Sequence, residues 1–552
     1  MRGPTHYPTG ESLPLVPRVF WTPNPKLLRV NNPRCFPSWF LAVILGLIHP
    51  AGHVVGAAEV APVDELLKRG LTTNMTSEAT ARAVCAACHA FPEPDLLDRA
   101  TWLQETLPRM AIRLGLSPAS VDTHPESELL KATGKFPAVP MITTEVFQSI
   151  VQFYSARAPE KPLPQGTRGE IEIGLPGFEL VKPQARRRPP MTTLVKILES
   201  GQGVCVGDAQ AQSLDFYSPT GALVTTLQVS NAPVSFTLRG ASAFVSMIGN
   251  FFPSEKSQGA FVELGREGAR WVPKRNVLDR LPRTVDATFG DLNGDGRADF
   301  ALCMFGNVQG RLSWFESGPE GRYSEHVLLE KPGAVGCAIH DFNRDGKPDL
   351  AALIAQDTES LMIFENKGGR EFGFREVFRQ HPLYGHTGFE LVDFNRDGLM
   401  DFLVTNGDNG EYPSPTKRYH GIRLYEAKPD GSFALRLFYP MNGAFRALAR
   451  DFDQDGDLDI AAVSFFPDYD RSPEESFVYL ENRGAGRLRA ATFRECISGR
   501  WLTMDAGDVD GDGDLDIVLG NNIRGPGKVP DFLKRDWEQF STSYVLLKNR
   551  LK

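Results

Sequence analysis

Five copies of one nine-residue pattern, Asp-x-Asn/Asp-x-Asp-Gly-x-x-Asp, decide most of what this 552-residue chain can fold into. They run Asp291 to Asp299, Asp341 to Asp349, Asp393 to Asp401, Asp451 to Asp459 and Asp508 to Asp516, at steps of 50, 52, 58 and 57 residues. A repeat of that size is one supersecondary unit that cannot bury its apolar face alone and must stack on its neighbours. Oxygens at positions 1, 3 and 5 converge on one point only if the chain turns sharply, which Gly at position 6 permits. Position 7 then offers a carbonyl and position 9 a further carboxylate. Hard oxygen ligands in such a loop suit Ca2+, up to about five ions. The candidate ligands are Asp291, Asn293, Asp295 and Asp299; Asp341, Asn343, Asp345 and Asp349; Asp393, Asn395, Asp397 and Asp401; Asp451, Asp453, Asp455 and Asp459; and Asp508, Asp510, Asp512 and Asp516. An EF-hand would need Glu at position 12, where Leu302, Ala352, Val404, Ala462 and Leu519 stand instead. Turns that end strands without any metal are the alternative.

Each loop runs straight into an apolar strand, such as Leu350-Ala351-Ala352-Leu353 or Ile460-Ala461-Ala462-Val463, and a second hydrophobic strand follows, ending at Asn366, Asn482 or Asn549 in three copies. The pattern resembles the FG-GAP/VCBS repeats of integrin-like β-propellers over residues 285 to 552. Residues 192 to 283 carry strand patterns without the acidic signature, in Leu194 to Leu198, Val204 to Asp208 and Phe244 to Ile248, with room for two more blades. The expected ring is therefore seven-bladed. The chain stops just after the strand at Tyr544 to Leu547, so its blade lacks an outer strand, which Phe178 to Lys182 could supply.

Cys85-Ala86-Ala87-Cys88-His89 carries a second kind of chemistry. Two thiols three residues apart can add to the two vinyl groups of haem while the next His binds iron. A redox pair or half a zinc site would use the same cysteines, but zinc would want a second Cys/His pair nearby, and none appears. Helices are expected from Ser77 through His89, from Asp95 to Leu114 and from Thr143 to Ala156. This stretch resembles a small class I cytochrome c over residues 59 to 158. The resemblance implies covalent haem c held by Cys85, Cys88 and His89, with a methionine as second axial ligand. Met110, after the Trp102 stretch, is preferred; Met141 and His124 are the other candidates.

Residues 1 to 58 read as an export signal with a long n-region: five basic residues and one acid, Glu11, precede an apolar run from Trp39 to Ile48 too short to span a bilayer. Gly56-Ala57-Ala58 offers a cleavage site, and an uncleaved N-terminal anchor is the alternative. Cleavage would leave a periplasmic or extracellular protein with no membrane span. The formal charge of -8 includes a +4 leader, so the remainder stands at -12, which argues against nucleic acid as a partner. Cys205, Cys303, Cys337 and Cys496 lie in apolar, strand-like surroundings and are expected to be buried thiols.

The expected organisation is multidomain: a leader (1-58), a small all-α cytochrome c-like domain (59-158), a Pro- and Arg-rich linker with a ring-closing strand (159-190) and an all-β propeller (191-552). No acid/base or nucleophile constellation stands out, so no catalytic residue is assigned. The first reading is electron transfer with an unidentified redox partner, the propeller serving as a platform for a partner or substrate. The alternatives are a dehydrogenase whose propeller oxidises a small molecule and passes electrons to the haem, and an adhesion or carbohydrate-binding propeller with a protein or glycan ligand.

Overall fold

A computed structural model describes residues 75-551 except 185-186, 199-200, 269, 357, 411-413 and 485. The expected leader, and residues 59-74 of the expected haem domain, lie outside the described residues. Among the described residues the strands form seven sheets in chain order, antiparallel except for one added strand, the blades of a propeller. The first blade comprises Thr192–Ile197, Val204–Asp208, Ser213–Tyr217 and Leu223–Gln228. The seventh comprises Trp501–Gly507, Asp516–Asn521 and Tyr544–Asn549, and its outer strand is Phe178–Val181, which pairs antiparallel with Tyr544–Asn549 (Phe178 opposite Asn549, Val181 opposite Leu546). The two ends of the propeller sequence thus share one sheet, which closes the ring without an unpaired seam. Within the expected linker Glu172–Ile173 also adds a parallel fifth strand to the sixth blade.

The second strand of each repeat is buried on both faces, as in Asp299–Met304, Asp401–Asn406, Asp459–Ser464 and Asp516–Asn521, because adjacent blades pack face to face on it. That is why these strands read as unbroken apolar runs rather than alternating ones. Outer strands such as Leu223–Gln228 are half exposed. Between blades six and seven, Phe452, Phe477, Tyr479, Trp501, Met504, Ile517 and Val545 make a single core. Cys205, Cys303, Cys337 and Cys496 are buried and unbridged.

Residues 75-158 form helices, with two corrections to the sequence expectation. The first helix, Ser77–Cys85, starts on the side chain of Thr76, which accepts the Ala79 N–H, and stops at Cys85 rather than His89. The second is broken into Arg99–Thr101, a π-helical turn Trp102–Thr106, and Leu107–Arg113, because Asp98 caps Thr101 and Pro108 cannot donate in the middle of a continuous helix. Thr144–Arg157 packs on the first helix, and the Trp102 ring packs tilted against that of Tyr154 with ring centroids 4.3 Å apart. Tyr154 Oη donates to Pro92 O at 2.7 Å and Trp102 Nε1 to Pro94 O at 2.9 Å, so the buried polar atoms of both rings are satisfied. Among the described residues no helix is long and apolar enough to cross a membrane.

The helical segment sits on one face of the propeller. Lys135 Nζ donates to Val308 O at 2.7 Å, Ser254 Oγ and the Glu255 N–H donate to Glu126, Tyr419 Oη donates to Leu96 O, and Arg418 pairs with Asp95. Ser254, Val308 and Tyr419 all lie between a second and a third strand, whereas the acidic loops lie between a first and a second. In an antiparallel blade those two kinds of connection emerge at opposite ends of the strands, so the acidic loops and the helical segment are separated by the propeller's thickness, roughly 20 Å for a six-residue strand.

Candidate functional site

Two sites follow from this arrangement. In the helical segment the turn after Cys85 projects Cys88 to the surface, while Cys85 stays half-buried against Tyr154. Burial pushes the Cys85 thiol up to about 11, which keeps it protonated at neutral pH. His89 Nδ1–H donates to Ala90 O at 2.9 Å, which leaves the lone pair on Nε2. A ring whose Nδ1–H is held by a backbone carbonyl has the tautomer and the fixed orientation of an iron-binding imidazole. The side chains of the cluster on which Cys85 packs are apolar, among them Val84, Phe91, Leu97, Trp102, Ile142 and Phe153. Cys85, Cys88 and His89 therefore present a donor set that fits a covalently held haem.

The candidates for a second axial ligand are sorted by packing. Met141 packs on the same cluster as Cys85 and Phe147, whereas Met110, half-buried on Leu107–Arg113, is not among the side chains of that cluster. His124 is exposed, and its Nδ1 accepts the Glu126 N–H at 3.0 Å. Sequence reasoning missed the propeller's share: Leu383 and Tyr419 complete the cluster that holds Cys85, and the His381 ring lies 4.7 Å from that of His89.

At the other end of the blades, the acidic loops are built alike but not filled alike. Gly296, Gly346, Gly398, Gly456 and Gly513 at position 6 all have φ between 80° and 100°, the left-handed turn that the pattern requires. Position 4 is left-handed too, which the sequence did not announce, because Arg344, Arg396 and Gln454 stand there at φ 58°. In the first three loops the position-1 carboxylate is already engaged: Asp291, Asp341 and Asp393 each accept the N–H of positions 5 and 6 at 2.8 to 3.1 Å. In the fourth and fifth loops three carboxylates come together, with one oxygen each from Asp451, Asp453 and Asp455, and from Asp508, Asp510 and Asp512, within 4.8 Å, although Asp508 also accepts the Gly511 and Gly513 N–H groups. Asp451 Oδ1 and Asp510 Oδ1 are buried without a hydrogen-bond partner. Burial, aided by Asp455 and Asp451, holds the Asp453 carboxyl above its ordinary range. In the fifth loop Lys548 pairs with Asp510 and lies 3.6 Å from Asp512, whereas in the fourth loop the cation comes from the preceding loop, where Arg396 lies 3.3 Å from Asp451.

Position 9 has a structural duty in every copy. Asp299, Asp349, Asp401, Asp459 and Asp516 are fully buried. One oxygen of each accepts an N–H at or just before the end of the following strand, from Ser317, Asn366, Ala427, Asn482 and Asn549, all at 2.8 Å. The other accepts the position-2 N–H at 3.0 Å in four copies, and the Tyr479 hydroxyl at 2.6 Å in the fourth. Burial raises all five, Asp459 and Asp516 to about 6. The terminal asparagines add a latch between blades: Asn366 Nδ2 donates to Leu292 O and Asn549 Nδ2 to Phe452 O, each in the preceding repeat.

Comparison with known proteins bears on this second site. Residues 291–352, 341–404 and 451–519 match the FG-GAP-like repeat, so the chain contains FG-GAP-like repeats within a seven-bladed propeller. No curated protein matches the chain in sequence. Among solved structures it is similar to Sqt1 of Saccharomyces cerevisiae (10% identity, 66% of this chain and 97% of that one, TM-score 0.40). It is also similar to BBS1N, solved in complex with ARL6DN and soaked with lead (8% identity, 68% and 97%, TM-score 0.41).

Proposed function

We propose that the chain is a haem-carrying electron-transfer protein whose propeller is a binding platform for a redox partner. The observation that carries this reading is the C-x-x-C-H turn with His89 held by Ala90 O as an Nε2 ligand. Haem bound there supplies a reversible one-electron couple. Cys85 and Cys88 would tether it, His89 would bind its iron, and Met141, which packs on the cluster of Cys85, would be the preferred second ligand. The Trp102–Tyr154 core and the propeller residues Leu383 and Tyr419 would keep water from the buried side of the group. Export of the mature chain to the periplasm or beyond belongs to the same proposal and is tested by sequencing the mature N-terminus.

Calcium belongs to the proposal as a structural ion. The fourth and fifth loops are its best candidates, because their acid triads contain buried oxygens without a partner. The test of the central reading is a pyridine haemochrome spectrum after extraction with acidified organic solvent. Covalent haem that remains with the protein supports it, and its loss from the wild type or persistence in Cys85→Ala/Cys88→Ala refutes it.

A further inference from the structure

The turn between blades four and five, Pro382–Tyr384, lies against the C-x-x-C-H motif. His381 stands just before it. Its ring centroid is 4.7 Å from that of His89, with the two planes at 86°, an edge-to-face contact of the kind that fixes ring orientation. The ring is 7% exposed. Its Nδ1 accepts the Leu383 N–H at 3.0 Å, which places the ring's own proton on Nε2, and that buried Nε2 has no hydrogen-bond partner. The neighbouring Leu383 and Tyr419 pack in the cluster that includes Cys85, and Tyr419 Oη and Arg418 tie the same loop region to Leu96 and Asp95.

On the haem reading given above, we propose that the haem site is shared between the helical segment and the propeller, with His381 as the positioning residue for the axial His89. The bond from Nδ1–H to Ala90 O restrains the His89 imidazole from one side, and the His381 ring blocks its rotation from another. Together with Leu383 and Tyr419 it also shields that side of the site from water. Ligand orientation and burial both act on the electronic state and potential of haem iron. The propeller thereby influences the iron through one side chain, in addition to offering a surface for a partner.

Two substitutions in the full-length holoprotein separate this role from ordinary packing. His381→Asn keeps an acceptor for the Leu383 N–H but removes the ring; His381→Phe keeps a ring edge but removes the acceptor. The readouts are the g values of the ferric haem, the midpoint potential and the melting temperature. His381→Asn is expected to shift the g values and lower the potential, because water reaching the site favours the more highly charged ferric state, while melting near the wild type. His381→Phe is expected to return the g values toward wild type at a lower melting temperature. Wild-type g values and potential in His381→Asn would overturn the proposal, as would spectroscopic shifts in both variants that simply follow their loss of stability. A wild type without covalent haem would overturn the haem reading itself and this proposal with it, a result distinct from the other two.

Discussion

Withdrawing calcium from the acidic loops should destabilise the propeller, by an amount that the geometry sets. Three carboxylate oxygens within 4.8 Å of one another repel, even at the dielectric of bulk water, by about 0.9 kcal/mol per pair, or about 2.7 kcal/mol per triad before the offsetting Lys548 and Arg396 cations are counted. Mass action gives a similar figure: free calcium 100-fold above its dissociation constant stabilises the native state by about 2.7 kcal/mol per site. A propeller of about 380 residues has an unfolding entropy near 0.8 kcal/mol/K, so each site is worth about 3 °C and the two triads together about 7 °C. Differential scanning calorimetry in excess calcium and in excess chelator measures this, with elemental analysis to count the ions. Asp455→Ala should remove roughly one equivalent of metal. The response should also depend on pH. Asp459 and Asp516 have folded-state values pushed up to about 6 by burial, above their unfolded value near 4. The folded state then holds those protons longer, so without calcium their contribution to stability falls as pH rises from about 4 to about 6. Calcium favours the ionised form, so the gap between the calcium and chelator scans should be small at pH 4 and full above pH 6. Taking the difference at each pH cancels groups that do not sense the ion. Identical melting at pH 7 in calcium and chelator, with no metal found, would refute the reasoning and leave the loops as turns that need no ion.

Met141→Ala should abolish the thioether-to-iron absorption near the red edge of the visible spectrum and Met110→Ala should retain it; the opposite outcome would restore Met110 as the axial ligand. Asp349→Ala strands the buried N–H groups of Phe342 and Asn366, at about 1-3 kcal/mol each, so denaturant unfolding should show a loss of at least 2 kcal/mol. Asp345→Ala in chelator should cost far less, because Asp345 lies in the exposed part of the loop. Arg344→Gly removes a side chain from a left-handed position and should raise stability by up to about 1 kcal/mol in the same assay, set against one exposed hydrogen bond to Gly398 O. Leu180→Pro breaks the closing pair with Leu547 in the seventh blade and should lower the melting temperature by at least several degrees, with partial loss of cooperativity.

The seven-bladed ring was legible in the sequence because its cause is local and repeated. Gly at position 6 needs only its own φ, and a strand buried on both faces reveals itself as an unbroken apolar run. The C-x-x-C-H turn was legible for the same reason, since five consecutive residues contain its donor atoms. The helix from Asp95 to Leu114 was misjudged as continuous, since apolar spacing gave no weight to the Asp98 cap or the π-helical turn at Trp102–Thr106. What the sequence could not separate was the five acidic loops from one another. Their shared spelling hides that Asp291, Asp341, Asp393 and Asp508 spend their oxygens on loop N–H groups while Asp451 pairs with Arg396, and that Lys548 reaches the fifth loop from the last strand. Position 9 reads in the sequence as one more ligand, and only the fold shows that its two oxygens also staple the loop to a strand or ring that folding brings near. Among the axial candidates the sequence preferred Met110, and tertiary packing puts Met141 rather than Met110 on the cluster that Cys85 packs against. His381 was invisible for the plainest reason: 292 positions separate it from His89, and only the closed ring, with the helical segment seated on it, brings their imidazoles to 4.7 Å.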